Sequence, residues 1–287
     1  MSIEHVFVAG AGLMGHGIAQ VLATAGRAVV LYEPDHARAV AGRERIAANL
    51  ARAVAKGRLD EEAAGQAIER VATSDETGAV VTADLVVEAV FEDVDVKTEL
   101  WAELDRLAPA RAIFASNTSS ISIDRLAAAV EEARRPRFVG MHFFSPVPVM
   151  PLVELIRGSD TSDETETAIR DLATDLKKQV IVSADRPGFI VNRTLMPFLA
   201  EAMRACEEGV GTAEDIDTGA KVGLNHPMGP LELADFIGLD VCLNILRVLY
   251  EGFGQEQFRP PAVLEELVAA GNLGQKTGRG FHAYPRD

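Results

Sequence analysis

An α/β fold with a mostly parallel sheet, followed by an all-helical domain, is predicted by three observations. Through the first half of the chain, short β-branched runs alternate with amphipathic Ala/Leu-rich segments. A glycine-rich turn, Gly10-Ala11-Gly12-Leu13-Met14-Gly15, joins the first such run to the first helical pattern. Beyond about Ser183 the periodicity becomes helical throughout. Strands alternating with helices build right-handed βαβ crossovers, and continuous apolar strands suit a sheet covered by helices on both faces.

The elements follow in order. Residues 6–9, 28–32, 85–90, 112–115 and 138–141 read as buried strands, separated by helical patterns over 14–25, 36–56, 96–107 and 123–133. The turn signal Asp185-Arg186-Pro187-Gly188 closes this part, placing domains at 1–184 and 185–287. Helices are then expected over 190–208, 212–221, 230–250 and 261–270, with Thr212 and Asp215 spaced as an N-cap pair.

Composition narrows the function. The 287 residues carry 28 Lys+Arg against 43 Asp+Glu, a formal net charge of -15, which disfavours nucleic acid and anionic membranes as general partners. Cys206 and Cys242 are too few for a disulfide framework, as in a reducing compartment. The start Met1-Ser2-Ile3-Glu4-His5 lacks the basic and apolar regions of a signal peptide. No apolar run approaches the ~18 residues of a membrane span. A soluble, cytoplasmic protein is expected.

The glycines of the turn do different things: Gly10 allows a tight turn, Gly12 close backbone approach to a pyrophosphate, and Gly15 close helix–strand packing. The helix that opens at Leu13 and Met14 offers free N–H groups and a positive dipole end. Glu33 ends the second strand 18 residues after Gly15, where a carboxylate accepts bonds from ribose hydroxyls and repels a 2′-phosphate. NAD rather than NADP is the expected cofactor, with Arg38 nearby as a partial offset to Glu33; no metal is expected.

Between residues 38 and 58 the charge reverses. Arg38, Arg43, Arg45, Arg52, Lys56 and Arg58 face a single acid, Glu44. This is either a solvated helix face or a site for a second phosphorylated ligand such as a coenzyme A thioester.

His142 ends an apolar strand in Gly140-Met141-His142-Phe143-Phe144-Ser145-Pro146. Pro146, Pro148 and Pro151 then break the chain, and residues 152–156 look like a returning strand carrying Glu154. A lone carboxylate in an apolar strand calls for a partner. Turned back, Glu154 faces one ring nitrogen of His142 and leaves the other as a general base. The turn Ser116-Asn117-Thr118-Ser119-Ser120 follows the 112–115 strand at the sheet's carboxyl edge, where ligands bind in open α/β folds. Its polar groups could orient a substrate oxygen, cap the next helix from Ser120 or Ser122, or both.

Together GAGLMGHGIAQ, VVEAVFEDVDVK, FASNTSS, GMHFFSPVPVMPLVE, RPGFIVNR, NHPMGPLELADFIGLD and GQKTGRGF resemble the short, single-function L-3-hydroxyacyl-CoA dehydrogenases, including bacterial 3-hydroxybutyryl-CoA dehydrogenases, along nearly the whole chain. The resemblance implies a Rossmann-like N-terminal domain, a helical domain through which subunits dimerise, and reversible NAD-dependent oxidation of a short-chain L-3-hydroxyacyl-CoA to 3-oxoacyl-CoA. By position it implies His142 as catalytic base, Glu154 as its orienting partner, Ser119 at the 3-oxygen and Asn192 completing the pocket. It places Glu33, Ala89, Glu92, Lys97, Asn117, Ser119, Ser145 and Lys276 with the glycine turn around NAD, and Asn49, Lys56 and Ser119 near coenzyme A. Where the family usually carries HFFNP this chain has Ser145 in HFFSP, a shorter side chain with different hydrogen-bonding capacity.

Competing expectations are a dehydrogenase of a free hydroxy or sugar acid, as in the related L-gulonate dehydrogenase and lambda-crystallin group, and an enzyme of carrier-protein thioesters. A non-catalytic NAD-binding protein is the reading from another class. The 3-hydroxyisobutyrate and 6-phosphogluconate dehydrogenases place a lysine where residues 187–197 have none.

Overall fold

The computed structural model describes residues 2–284, and the chain divides into two units, Met1–Arg186 and Pro187–Asp287. Asp185 belongs to the first: its N–H donates to Arg157 O at 3.2 Å, and its carboxylate accepts from Ser122 Oγ at 2.7 Å.

The first unit runs β1 (His5–Ala9), α1 (Leu13–Thr24), β2 (Ala28–Tyr32), α2 (His36–Ala55), α3 (Glu61–Glu69), β3 (Val71–Ser74), β4 (Leu85–Glu88), α4 (Val94–Leu107), β5 (Ile113–Ser116), α5 (Ile123–Ala127), β6 (Phe138–Phe143), β7 (Leu152–Arg157), α6 (Asp163–Asp175) and β8 (Gln179–Ala184). Its single eight-stranded sheet has the order β3-β2-β1-β4-β5-β6-β7-β8. Neighbours are parallel except β6 and β7, which run antiparallel. Strand order switches direction on either side of β1, so the loops after β1 and β4 open a crevice at the carboxyl edge.

Local chemistry sets the helix starts. The Asp35 side chain accepts from Ala37 N at 2.9 Å, Asp93 from Asp95 N at 2.9 Å and Ser162 from Thr165 N at 3.2 Å, each filling a donor left open by the first turn. Trp101 packs on Phe114 and edge-on to Phe138, both at 4.9 Å between ring centroids, locking α4 to the centre of the sheet.

Four elements go beyond the expected set: α3, β3, α6 and β8. The helix expected over 123–133 ends at Ala127, and the strand expected over 85–90 ends at Glu88. Ser122, rather than Ser120, caps α5 by accepting from Arg125 N at 3.2 Å.

The second unit comprises α7 (Val191–Glu207), α8 (Ala213–Thr218), α9 (Pro230–Ile237), α10 (Leu239–Phe253) and α11 (Ala262–Ala269) around Met196, Leu199, Met203, Leu231, Leu246 and Phe258. The continuous helix expected over 230–250 is two helices, because Gly238 at φ +105° breaks the helical path between them. Two buried acids pin the remainder. Asp217 accepts from Leu231 N and Glu232 N at 2.8 and 3.0 Å, and Asp235 from Phe281 N and His282 N at 3.0 and 2.9 Å. No helix among the described residues is long and apolar enough to cross a membrane.

Candidate active site

The turn after β1 separates the roles of its glycines. At Gly10, with φ +103°, an added Cβ would lie 2.5 Å from Ala89 O; at Gly15 it would lie 1.7 Å from Gly10 O. Protein packing demands glycine at both. At Gly12 a Cβ would meet nothing within 4 Å, so a glycine there leaves open backbone rather than relieving a clash. That bare N–H surface at the start of α1 fits a dinucleotide pyrophosphate. Leu13 stands exposed over it and Met14 packs against the core. Glu33, just past β2, accepts from Ala11 N at 2.9 Å and pairs with Arg38 Nη1 at 3.5 Å, so its carboxylate is held beside the turn.

Beneath the polar turn lies a charge cluster whose buried members are Glu88 and Lys97, with the more exposed Glu92 beside them. Lys97 on α4 is 1% exposed; its ammonium sits 2.5 Å from Glu88 Oε1 and 3.0 Å from Glu92 Oε2. Glu92 Oε1 in turn accepts from Thr118 Oγ1 at 2.5 Å, Ser119 N at 2.8 Å and Ser120 N at 3.2 Å. Burial raises the Glu92 carboxyl, but the Lys97 ammonium and the Thr118 and Ser119 donors outweigh it and hold it below the ordinary value. For Glu88 burial prevails over Lys97 and its carboxyl is raised. Lys97 therefore bears on the turn through Glu92, its own ammonium being enclosed between two acids. Glu88 was not among the expected site residues.

At the end of β6 the antiparallel register pairs His142 directly with Glu154 of β7, which puts both side chains on one face of the sheet. His142 Nδ1 and Glu154 Oε2 are 3.1 Å apart, with Glu154 fully buried and His142 7% exposed. The Phe144 ring packs on the imidazole at 4.5 Å between centroids. Asn117 ties the neighbouring loop to this strand, its Oδ1 accepting from Phe143 N at 2.9 Å. Ser145 is exposed just beyond. The Lys178 ammonium reaches the carbonyls of Val147 and Met150, both at 2.6 Å, and braces the turn that brings β7 back; burial lowers its pKa. Sequence reasoning passed over Lys178, which carries no local motif.

The basic segment does not act as one cluster. Arg38 faces Glu33, and Arg43 donates to Val71 O and Ile68 O at 2.8 and 3.2 Å, fastening α2 to the α3–β3 junction. Arg45, Asn49, Arg52 and Lys56 recur at helical spacing and share another face of α2. Arg52 Nη2 donates to Asn49 Oδ1 at 2.5 Å, and Asn49 Nδ2 to Gln20 Oε1 at 3.1 Å. Two expected site residues belong to the second unit: Asn192, buried in the first turn of α7, and Lys276, whose ammonium lies 2.5 Å from Asp240 Oδ1.

A glycine turn with open backbone, a carboxylate held beside it and a buried His–Glu pair on one doubly wound sheet suit a dinucleotide-dependent oxidoreductase. Two family models match the chain: the 3-hydroxyacyl-CoA dehydrogenase NAD binding domain over residues 5–186, and the 3-hydroxyacyl-CoA dehydrogenase C-terminal domain over residues 188–284. The chain belongs to the 3-hydroxyacyl-CoA dehydrogenase family. It is 49% identical to a 3-hydroxybutyryl-CoA dehydrogenase of Bradyrhizobium diazoefficiens, covering 98% of this chain and 96% of that one. To a probable 3-hydroxybutyryl-CoA dehydrogenase of Bacillus subtilis it is 46% identical, covering 99% and 98%. The crystal structure of (S)-3-hydroxybutyryl-CoA dehydrogenase from Ralstonia eutropha matches with a TM-score of 0.96 at 45% identity, covering 99% of this chain and 100% of that one.

Proposed function

We propose that this enzyme catalyses the reversible, NAD-dependent oxidation of short-chain L-3-hydroxyacyl-CoA, 3-hydroxybutyryl-CoA foremost, to 3-oxoacyl-CoA. The observation that carries this reading is the buried His142–Glu154 pair at the sheet edge that also bears the glycine turn. With Nδ1 facing Glu154, Nε2 of His142 takes the proton of the substrate's 3-hydroxyl as the C3–O bond becomes a carbonyl. NAD, when bound, supplies the acceptor for the hydride that leaves C3. Glu154 fixes the tautomer and stabilises the imidazolium, whose proton then passes to solvent. In the reverse direction the imidazolium returns that proton to the developing alkoxide.

Ser119 would hold the 3-oxygen. Gly10, Gly12, Leu13, Met14 and Gly15 would receive the pyrophosphate and Glu33 the adenosine ribose. Ala89, Glu92, Asn117 and Ser145 would line the remainder of the dinucleotide site, with Lys97 setting Glu92. The stripe Arg45-Asn49-Arg52-Lys56, exposed at its three basic members, would take the phosphates of coenzyme A, a polyanion that local charge can hold on an acidic protein. Assembly as a homodimer through the helical unit and a cytoplasmic setting complete the reading.

The test is oxidation of NADH and NADPH with acetoacetyl-CoA, longer 3-oxoacyl-CoAs, a carrier-protein thioester and free 3-oxo acids. Fastest turnover is expected with NADH and acetoacetyl-CoA. Activity on a free acid alone, with none on any thioester, overturns the reading.

A further inference from the structure

We infer that Glu88, a residue with no part in the proposed chemistry, is a positioning residue for the reaction, acting along two arms on the turn that carries Ser119. The inference rests on the reading of Ser119 given above. Glu88 is the last residue of β4, pairs in register with Ser116 of β5, and is fully buried. One oxygen, Oε1, faces Lys97 Nζ at 2.5 Å and accepts from Val90 N at 2.9 Å. Lys97 hands the constraint to Glu92, which collects Thr118 Oγ1, Ser119 N and Ser120 N. The other oxygen accepts from Ser116 Oγ at 2.6 Å, and Ser116 Oγ accepts from Thr118 N at 3.2 Å. The backbone joins in, with Asn117 N donating to Glu88 O at 2.8 Å. Ser116 and Asn117 are thus held by Glu88 itself, Thr118 through Ser116, and Ser119 and Ser120 through Lys97 and Glu92, apart from contacts made elsewhere.

Burying an acid and an ammonium is a poor route to stability, because desolvation consumes most of the attraction and an apolar pair of equal volume would serve as well. What the cluster supplies is a fixed shape for one loop. The same unit provides a comparison at the opposite edge of the sheet. There Asp105 and Arg134 form a buried pair at 2.8 Å, and Arg134 donates to Pro109 O and Ala112 O, ahead of β5. That pair ties backbone to backbone away from the polar turn, whereas the Glu88 cluster ends on a hydroxyl-bearing turn at the carboxyl edge. A misplacement of about 1 Å at such a turn costs up to about a hundredfold in rate.

The experiment is a double-mutant cycle in the full-length enzyme: Glu88→Gln, Ser119→Ala and the double variant, with Asp105→Asn as control. It reads kcat and KM with acetoacetyl-CoA, NADH dissociation by fluorescence, and Tm. Glu88→Gln is expected to lower kcat about tenfold, with KM and NADH affinity within about twofold, and to add less than about threefold once Ser119 is already Ala. Asp105→Asn should lower Tm and leave kcat within about twofold. Unchanged kcat in Glu88→Gln, or a full tenfold loss in the Ser119→Ala background, overturns the inference alone. Wild-type turnover in Ser119→Ala overturns the Ser119 reading and the inference with it. If Glu88→Gln does not fold, Ser116→Ala cuts the second arm without touching a charge, and about a threefold loss, absent in the Ser119→Ala background, is then required.

Discussion

Buried carboxylates serve different ends in the two units. In the sheet unit Glu154 and Glu88 face ionisable side chains, His142 and Lys97, at the carboxyl edge of the strands. In the helical unit Asp217 and Asp235 mostly gather backbone amides, four of them between the two residues, with His282 Nε2 clipped to Asp217 at 2.7 Å and the Tyr284 hydroxyl on Asp235 at 3.1 Å. A carboxylate that collects amides cannot trade its partners without unmaking a loop. One that faces an imidazole leaves a second nitrogen with acid–base capacity. The kind of donor around a buried acid therefore differs between the units, mostly loop amides in the helical one and an imidazole and an ammonium in the sheet one.

The comparison can be broken at either end. The largest expected effect is at the imidazole: His142→Gln should lower turnover by about three orders of magnitude while NADH binds as before, checked by steady-state rates and fluorescence titration. Glu154→Gln keeps the volume but loses the charge, and a loss of about two orders of magnitude in kcat is expected. Asp235→Asn should behave in the opposite manner. It should cost about 2 kcal/mol in urea unfolding, since amides lose a charged acceptor, with kcat of the folded enzyme little changed. A kcat loss without a stability loss at Asp235 would erase the distinction. Smaller still, Arg52→Ala/Lys56→Ala should raise KM for acetoacetyl-CoA about threefold, an effect that fades in high salt because the stripe is exposed.

The smallest effect lies in pH. Glu92 is held below its ordinary value despite burial, so its ionised form stabilises the native state at neutral pH. That stability is lost as pH falls through the folded-state value. Glu88, pushed up by burial, works in the opposite sense and gives up stability as pH rises through its folded value. Urea unfolding of Glu92→Gln should accordingly show a flatter acid limb than the parent enzyme; an equally steep limb would place the acid sensitivity elsewhere.

Much of this architecture is legible in the sequence alone. Period-two and continuous apolar runs reveal the central strands, and the glycine turn, Glu33 and the His142–Glu154 pairing follow from spacing and the cost of an unpaired charge. The short or polar edges are not legible. Val71–Ser74 is four residues long, and Asp163–Asp175 shows three acids in its first turn and a thin apolar stripe. Gly238 hides inside a helical pattern, because periodicity continues across a break of one residue. Glu88 is the instructive miss. It is a single carboxylate in an apolar strand, the same signal that singles out Glu154, but its partner lies on the next helix rather than on a returning strand. Arg43 errs in the other direction, since charge counting cannot tell a solvated guanidinium from one spent on two carbonyls.

The reversal between β6 and β7 makes the 144–151 loop a ruler. Side chains alternate faces along a strand, so one residue added or removed there would turn Glu154 to the far side of the sheet and leave His142 opposite an apolar neighbour. A change of two residues would restore the face but miss the rung. The loop can exchange its letters, as Ser145 does, while its length is under arithmetic control. Chimeras that graft this segment between relatives should keep activity only when the count from His142 to Glu154 is conserved.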